Sequence, residues 1–391
     1  MLMVPNNPTI IVPGLLGSTL ENSYDLQPVP TWSESQLLTT AISGPDLFSL
    51  ALDRSGSSDA SLQVVTRANG LFLEAYERLA VALRSRQPGP VYVFPYDWRY
   101  STKASGGQLA EFVARVRRKM ATAFSGWSGR IDFVTHSLGG LVFRAFLATN
   151  PPSEQVGQAV FIAVPQRGSL AAAEVMIRGK GPLFGGRTEM RKLSRTFPSV
   201  YELLPTYSGA AIDPGGRSID FFDLKEWQEN VTPNGPDGRE LNGFDVEQTR
   251  LDAAKKQLQA LRNPSDVISE RDMLTIYATE PHSTLDRVSV RPQQGLERWY
   301  DFDGAEKGEG DGVVMPRSAL LPRVPAIRIT SREASVISEF SAHFISLHAF
   351  LATLDETQII VSRFLAGRRS PSELLPRNMP LDRYVESPSP E

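Results

Sequence analysis

Three residue types that could act together lie far apart in this chain: Ser137 in "VTHSLGGLVF", Asp311 in "GEGDGVVMP", and a histidine in "SAHFISLHAF". The serine context is the most specific. A short apolar run (Ile131, Phe133, Val134) is cut by Thr135-His136-Ser137-Leu138-Gly139-Gly140 and resumes at once. A simple connection would need no histidine and would rarely be so tight. A serine on a strained strand-to-helix turn, with glycines close behind it, is the nucleophile elbow, which holds a hydroxyl out for attack on an acyl carbon. Serine is a weak nucleophile, so a base must take its proton and a carboxylate must orient the base.

Histidine is scarce, with His136, His282, His343 and His348 as the whole supply. His136 precedes the serine on the elbow and should point away from the substrate side. His282 comes before the candidate acid. His343 and His348 follow the last expected strand, where a chain order of Ser, acid, His places the base. Five residues apart on one helix, they would differ by about 140° in direction, so only one can face the site. His343, at the expected helix start, is the expected base.

The acid should follow a late strand and precede the base. Asp311 sits between glycines that permit a sharp turn, with Asp286 and Asp303 as its competitors. The expected oxyanion hole is backbone: the N–H of Leu138, after the nucleophile, and a second from the loop "VPGLLGS", where Leu15 is the expected donor. One feature departs from Gly-x-Ser-x-Gly: Thr135 stands where the first glycine is usual, which fits only against a small neighbour.

The elements around these residues alternate. Strands are expected at 9–14, at the start of 89–99 before a turn, at 131–134 and at 159–165, with helices at 71–85, 106–124 and 138–149 between them, the pattern of a parallel sheet covered on both faces. The Gly- and Pro-rich stretch 166–268 interrupts this as a cap, with helical patterning at 190–204 and 244–262. The sheet resumes at 272–280, 299–302, 311–316 and 326–330. A final helix runs to about 366. The region 21–68 is lid-like, with an apolar island "DLFSLAL" and Trp32 that could touch a lipid surface. The expected domain is 1–366, followed by a Pro-rich, disordered tail over 367–391.

Composition sets outer bounds. The 391 residues are 41% hydrophobic and 22% charged with a net charge of −3, which fits a globular protein and gives no electrostatic case for nucleic acid. The absence of cysteine excludes disulfides and thiolate chemistry. No basic n-region opens the chain and no run approaches the ~18 apolar residues of a membrane span. A cytoplasmic protein without a transmembrane anchor is expected. No histidine pair with ligand spacing faces an acidic cluster, so neither metal nor cofactor is expected.

Six segments in order are similar to the lecithin:cholesterol acyltransferase family, which includes lysosomal phospholipase A2 and phospholipid:diacylglycerol acyltransferases. They are "VPGLLGSTLE" (12–21), "FPYDWR" (94–99), "THSLGGLV" (135–142), "VPQRGS" (164–169), "FPSVYELLP" (197–205) and "GDGVV" (310–314). The resemblance implies an α/β-hydrolase fold with a cap, a Ser137–Asp311–His343 triad with Leu15 and Leu138 as oxyanion donors, and acyl-enzyme chemistry on lipid esters, with a membrane surface as a place to meet them. It raises Asp311 over its competitors. Asp97 and Arg99 read as a buried structural ion pair. The runner-up is a general carboxylesterase or triacylglycerol lipase, and a non-catalytic lipid-binding module stands behind it. Acyl donor, acceptor and oligomeric state do not carry over.

Overall fold

The computed structural model describes residues 7–24, 28–33, 50–53, 65–149, 155–180, 188–233, 244–330 and 347–386. Its strands are β1 (Thr9–Val12), β2 (Ser18–Asn22), β3 (Val29–Trp32), β4 (Thr66–Leu71), β5 (Val91–Val93), β6 (Ile131–His136), β7 (Val156–Ile162), β8 (Ala211–Ile212), β9 (Met273–Gln293), β10 (Leu296–Gly310), β11 (Ala326–Thr330) and β12 (Tyr384–Val385). The main sheet runs β12-β11-β9-β7-β6-β1-β5. Every neighbouring pair along it is parallel except β11–β12.

Because both faces are covered, the central strands are apolar at consecutive positions rather than alternate ones. Ile10 and Val12 of β1 and Phe133 of β6 join Leu109 and Val113 of α2 (Thr102–Ala123) and Leu141 and Val142 of α3 (Leu138–Thr149). Ile11 and Val134 point the other way, to Tyr76, Leu79 and Leu83 of α1 (Leu73–Arg86) and to Ile360 and Phe364 of a helix at Asp355–Leu365. Burying one such side chain is worth about 1.5–3 kcal/mol, so the period-two split of each strand fixes its register between the helix layers. This is the α/β-hydrolase fold: a mostly parallel sheet between helices, with β6, the strand that leads into Ser137, in its interior.

The structure departs from the sequence expectation in four places. Residues 299–302 are strand, as expected, but lie off the main path of the sheet and pair with β9 alone. They belong to a long hairpin of β9 and β10, whose outer half leaves the sheet; there Tyr300 and Phe302 pack with Phe221 of the cap. Residues 311–316 form a turn into a short helix at Pro316–Ala319, not a strand. The final helix is broken: a turn at Leu347–Phe350 and a 3-10 turn at Leu351–Thr353 precede Asp355–Leu365. The tail expected to be disordered is built through residue 386. Leu374, Leu375 and Met379 are buried in the core cluster shared with Phe364, and β12 pairs with β11.

In the lid-like region, β2, β3 and β4 form a separate antiparallel sheet. Trp32 is not displayed to solvent: it is 7% exposed, set against Trp98, and its Nε1 donates to the Leu16 carbonyl at 3.0 Å. Residues 46–49 of the apolar island lie outside the described residues, whereas Leu50 and Leu52 are buried. Their backbone is pinned by the Arg99 Nη1 donating to Leu50 O at 2.8 Å and by Leu52 N donating to Thr196 Oγ1 at 3.2 Å.

Candidate active site

Ser137 falls between the end of β6 and the start of α3, and its φ is +51°. The left-handed region costs a side chain about 1–2 kcal/mol, so something must hold it there. Its N–H donates to Ile162 O at 2.9 Å and its carbonyl accepts from Gly140 N at 3.0 Å. The loop after β1 lies directly against this turn. A Cβ at Gly14 would stand 2.8 Å from the Ser137 Cβ, and one at Gly139 would collide with the Val12 and Pro13 carbonyls. Both positions therefore need glycine.

Thr135 is tolerated for a reason other than a small neighbour. It lies between Val12 and Phe161 in the sheet, fully buried, and its hydroxyl donates to Val160 O at 3.1 Å.

The histidine that meets Ser137 is His348. Its Nε2 lies 2.8 Å from the Ser137 Oγ and its Nδ1 lies 2.8 Å from the Asp311 Oδ2. His343, the expected base, lies outside the described residues. The expectation rested on a base at a helix start. His348 lies in the helical turn at Leu347–Phe350, and its own N–H donates to Asp311 O at 2.9 Å. An ionised carboxylate accepts only, so Nδ1 carries the proton toward Asp311 and Nε2 is left bare to accept from the serine hydroxyl.

Asp311 is 1% exposed and is fixed by its own turn. Its Oδ1 accepts from Val313 N at 2.9 Å and Val314 N at 2.7 Å, leaving Oδ2 for the imidazole. Gly312, at φ +93°, donates its N–H to Thr284 Oγ1 at 2.8 Å. The segment "VPQRGS" braces this turn from beside it: Ser169 Oγ donates to Val313 O, and Ser318 Oγ donates to Gly168 O at 2.6 Å. Thr284, Ser169 and Ser318 were not legible as site residues, because their partners are backbone atoms of distant loops.

The competitors are elsewhere. Asp286 pairs with Arg317 and Asp303 pairs with Arg178 on the surface. His282 is exposed on the hairpin. His136 points beneath the elbow, where its Nδ1 meets the Tyr76 hydroxyl at 2.7 Å. Asp97 and Arg99 form a buried ion pair with each other at 2.6 Å. Among the described residues no group of three or more His, Asp or Glu side chains gathers as metal ligands, and no helix is long and apolar enough to cross a membrane.

With this geometry in place, comparisons with known proteins become informative. The family model for lecithin:cholesterol acyltransferase matches residues 84–225, which hold four of the six similar segments. No curated protein matches the sequence at a significant level. Among solved structures, the Tle4–Tli4 complex aligns at 15% identity over 89% of this chain and 89% of that one, with a TM-score of 0.55. The mature lipase BlEst2 of Bacillus licheniformis aligns at 10% identity over 92% of each chain, with a TM-score of 0.41. Lipase B of Aspergillus fumigatus aligns at 12% identity over 97% of this chain and 60% of that one, with a TM-score of 0.41. The chain resembles the acyltransferase family over the matched residues, and that match supports an ester hydrolase or acyltransferase in general terms. At 15% identity the match to the Tle4–Tli4 complex speaks to the fold alone.

Proposed function

We propose that the protein is a serine-dependent acyl hydrolase or O-acyltransferase for lipid esters, phospholipids among them, met at a membrane surface. The observation that carries this is His348, hydrogen-bonded to Ser137 through one ring nitrogen and to Asp311 through the other. The Ser137 Oγ attacks the ester carbonyl carbon while His348 Nε2 takes its proton. The carbonyl oxygen becomes an oxyanion, met by the N–H groups of Leu15 and Leu138; each such donor is worth about 2.7–4 kcal/mol in the transition state. Asp311 steadies the imidazolium. The C–O bond to the alcohol then breaks, and the leaving oxygen takes the proton from His348. Water or an acceptor alcohol, deprotonated by the same nitrogen, releases the acyl group from Ser137.

Intact-mass labelling with a fluorophosphonate probe tests the nucleophile. One adduct on the wild type and none on Ser137→Ala is the expected result, and a folded wild type that stays unlabelled with and without vesicles overturns it. Phosphatidylcholine vesicles with and without a long-chain alcohol then separate hydrolysis from transfer. Turnover of soluble short-chain esters with none of phospholipid would replace the lipid reading with a general carboxylesterase.

A further inference from the structure

His136 and Tyr76 are polar, buried and unused by the chemistry above, yet they touch both halves of it. Tyr76 is 2% exposed and His136 is 5% exposed. The His136 Nε2 lies 3.0 Å from the carbonyl oxygen of His348. A carbonyl only accepts, so Nε2 carries the proton and Nδ1 is bare. The Tyr76 hydroxyl, 2.7 Å from Nδ1, must therefore donate to it. That leaves the phenolic oxygen to accept from Gly14 N at 2.8 Å. Every proton in this chain is assigned by elimination, and the chain runs from the loop after β1 to the main chain of the base.

Both ends of the chain fall at consequential places. Gly14 N and Pro13 O belong to one peptide unit, and Pro13 O accepts from the Tyr96 hydroxyl at 2.8 Å. Two buried tyrosines thus grip that unit from its two polar ends, immediately before Leu15. At the other end, the His348 main chain is held through both polar groups: its N–H by Asp311 O at 2.9 Å, its C=O by His136.

We propose that Tyr76 and His136 form a positioning relay that locks the oxyanion loop at Gly14 to the backbone of His348, so that donor and base keep one register. The proposal rests on the triad reading above. Neither residue touches substrate in it. Burial, joined by the proximity of His348, holds the His136 pKa down at about 3, so the ring stays neutral. A neutral ring is what the site needs there. The two imidazoles are 5.2 Å apart, and a charged neighbour would oppose the imidazolium that forms on His348 during acylation.

The amides that can replace His136 mimic one nitrogen each. Asparagine keeps a polar atom toward Tyr76 and cannot reach His348 O; glutamine places its amide nitrogen near the position of Nε2. We would compare His136→Asn, His136→Gln, Tyr76→Phe and the Tyr76→Phe/His136→Asn pair. The measurements are fluorophosphonate labelling rate and kcat and KM on a soluble ester, below the melting temperature of each variant. His136→Asn should lose about ten- to a hundredfold in kcat and labelling rate with KM within about twofold. His136→Gln, which keeps the bond to His348 O but loses the one to Tyr76, should lose about as much; recovery in His136→Gln would mean that the bond to His348 O acts alone, without the Tyr76 link. The pair should be no worse than its worse single member, since one chain is broken once. Wild-type rates in His136→Asn and Tyr76→Phe would overturn the relay alone. A wild type that does not label would overturn the nucleophile reading and the relay with it. If the variants do not fold, nitrogen NMR of the wild type at pH 7 decides: a neutral His136 protonated on Nε2 is required, and protonation on Nδ1 sinks the relay.

Discussion

The Nε2 of His348 lies 2.8 Å from the Ser137 Oγ across 211 residues of sequence. What spans that distance is backbone: Ser137 is held by the Ile162 carbonyl, and His348 by the Asp311 carbonyl. The pair is therefore only as good as the loops that carry it.

Replacement of the two C-terminal histidines separates the base expected from the sequence from the one proposed above. His348→Ala should lower kcat by about 10⁴-fold or more and slow fluorophosphonate labelling in parallel, with little change in KM. His343→Ala should label within a few-fold of wild type. The reverse order would return the base to His343 and show that His348 holds Ser137 only in this conformation.

Asp311→Asn keeps the size of the side chain and changes which proton the imidazole carries. An amide nitrogen facing His348 Nδ1 would favour the wrong tautomer, and kcat should fall by about 10⁴-fold. Val313 N and Val314 N can still be accepted by the amide oxygen, so the turn should persist. Asp286→Asn and Asp303→Asn, which touch Arg317 and Arg178 instead, should stay within a few-fold of wild type. Equal losses at all three positions would mean that stability, not the tautomer, is being measured.

The elbow was legible because its geometry is local: a strand, a serine and two glycines specify a turn whatever surrounds it. Choosing between His343 and His348 was not, because it depends on contacts between distant segments, such as the bond from His348 N to Asp311 O, that no local pattern encodes. The same limit explains residues 299–302. Tyr300 and Phe302 alternate like core-strand residues and are buried, but their burial is against the cap. It also explains the tail, where prolines signal disorder while Leu374, Leu375 and Met379 find a tertiary partner in the helix at Asp355–Leu365. Asp97 and Arg99, three residues as a motif, could be read as a buried pair in advance.

That pair carries the third prediction. Arg99 is 0% exposed and makes two bonds to the Asp97 carboxylate, at 2.9 and 2.6 Å, plus one to Leu50 O. Removing one partner leaves a buried charge without compensation, so Arg99→Ala and Asp97→Ala should each cost about 3–5 kcal/mol in urea unfolding. The double variant should cost clearly less than the sum of the two. Additive losses would mean that the residues stabilise the fold separately.

Glu202, in "FPSVYELLP", predicts a pH dependence of stability. Its carboxylate accepts from Thr102 N at 2.7 Å, at the start of α2, where the helix dipole and the hydrogen bond favour the charged form. Burial outweighs both and raises its pKa from 4.5 to about 7. The folded protein then binds more protons than the unfolded chain between those values, so stability falls as pH rises through that window. The size of the loss is on the order of 3 kcal/mol. Among the other groups that shift on folding, Asp132, raised to about 6, adds loss in the same direction, and His136, lowered to about 3, acts oppositely on the acid side. Both are common to wild type and to Glu202→Gln, so they cancel when the two proteins are compared. Between pH 5 and pH 8 the variant should therefore gain on the wild type by up to that amount in chemical denaturation. Parallel curves would mean that Glu202 is ionised in the folded protein at both pH values, with the start of α2 stabilising its charge after all.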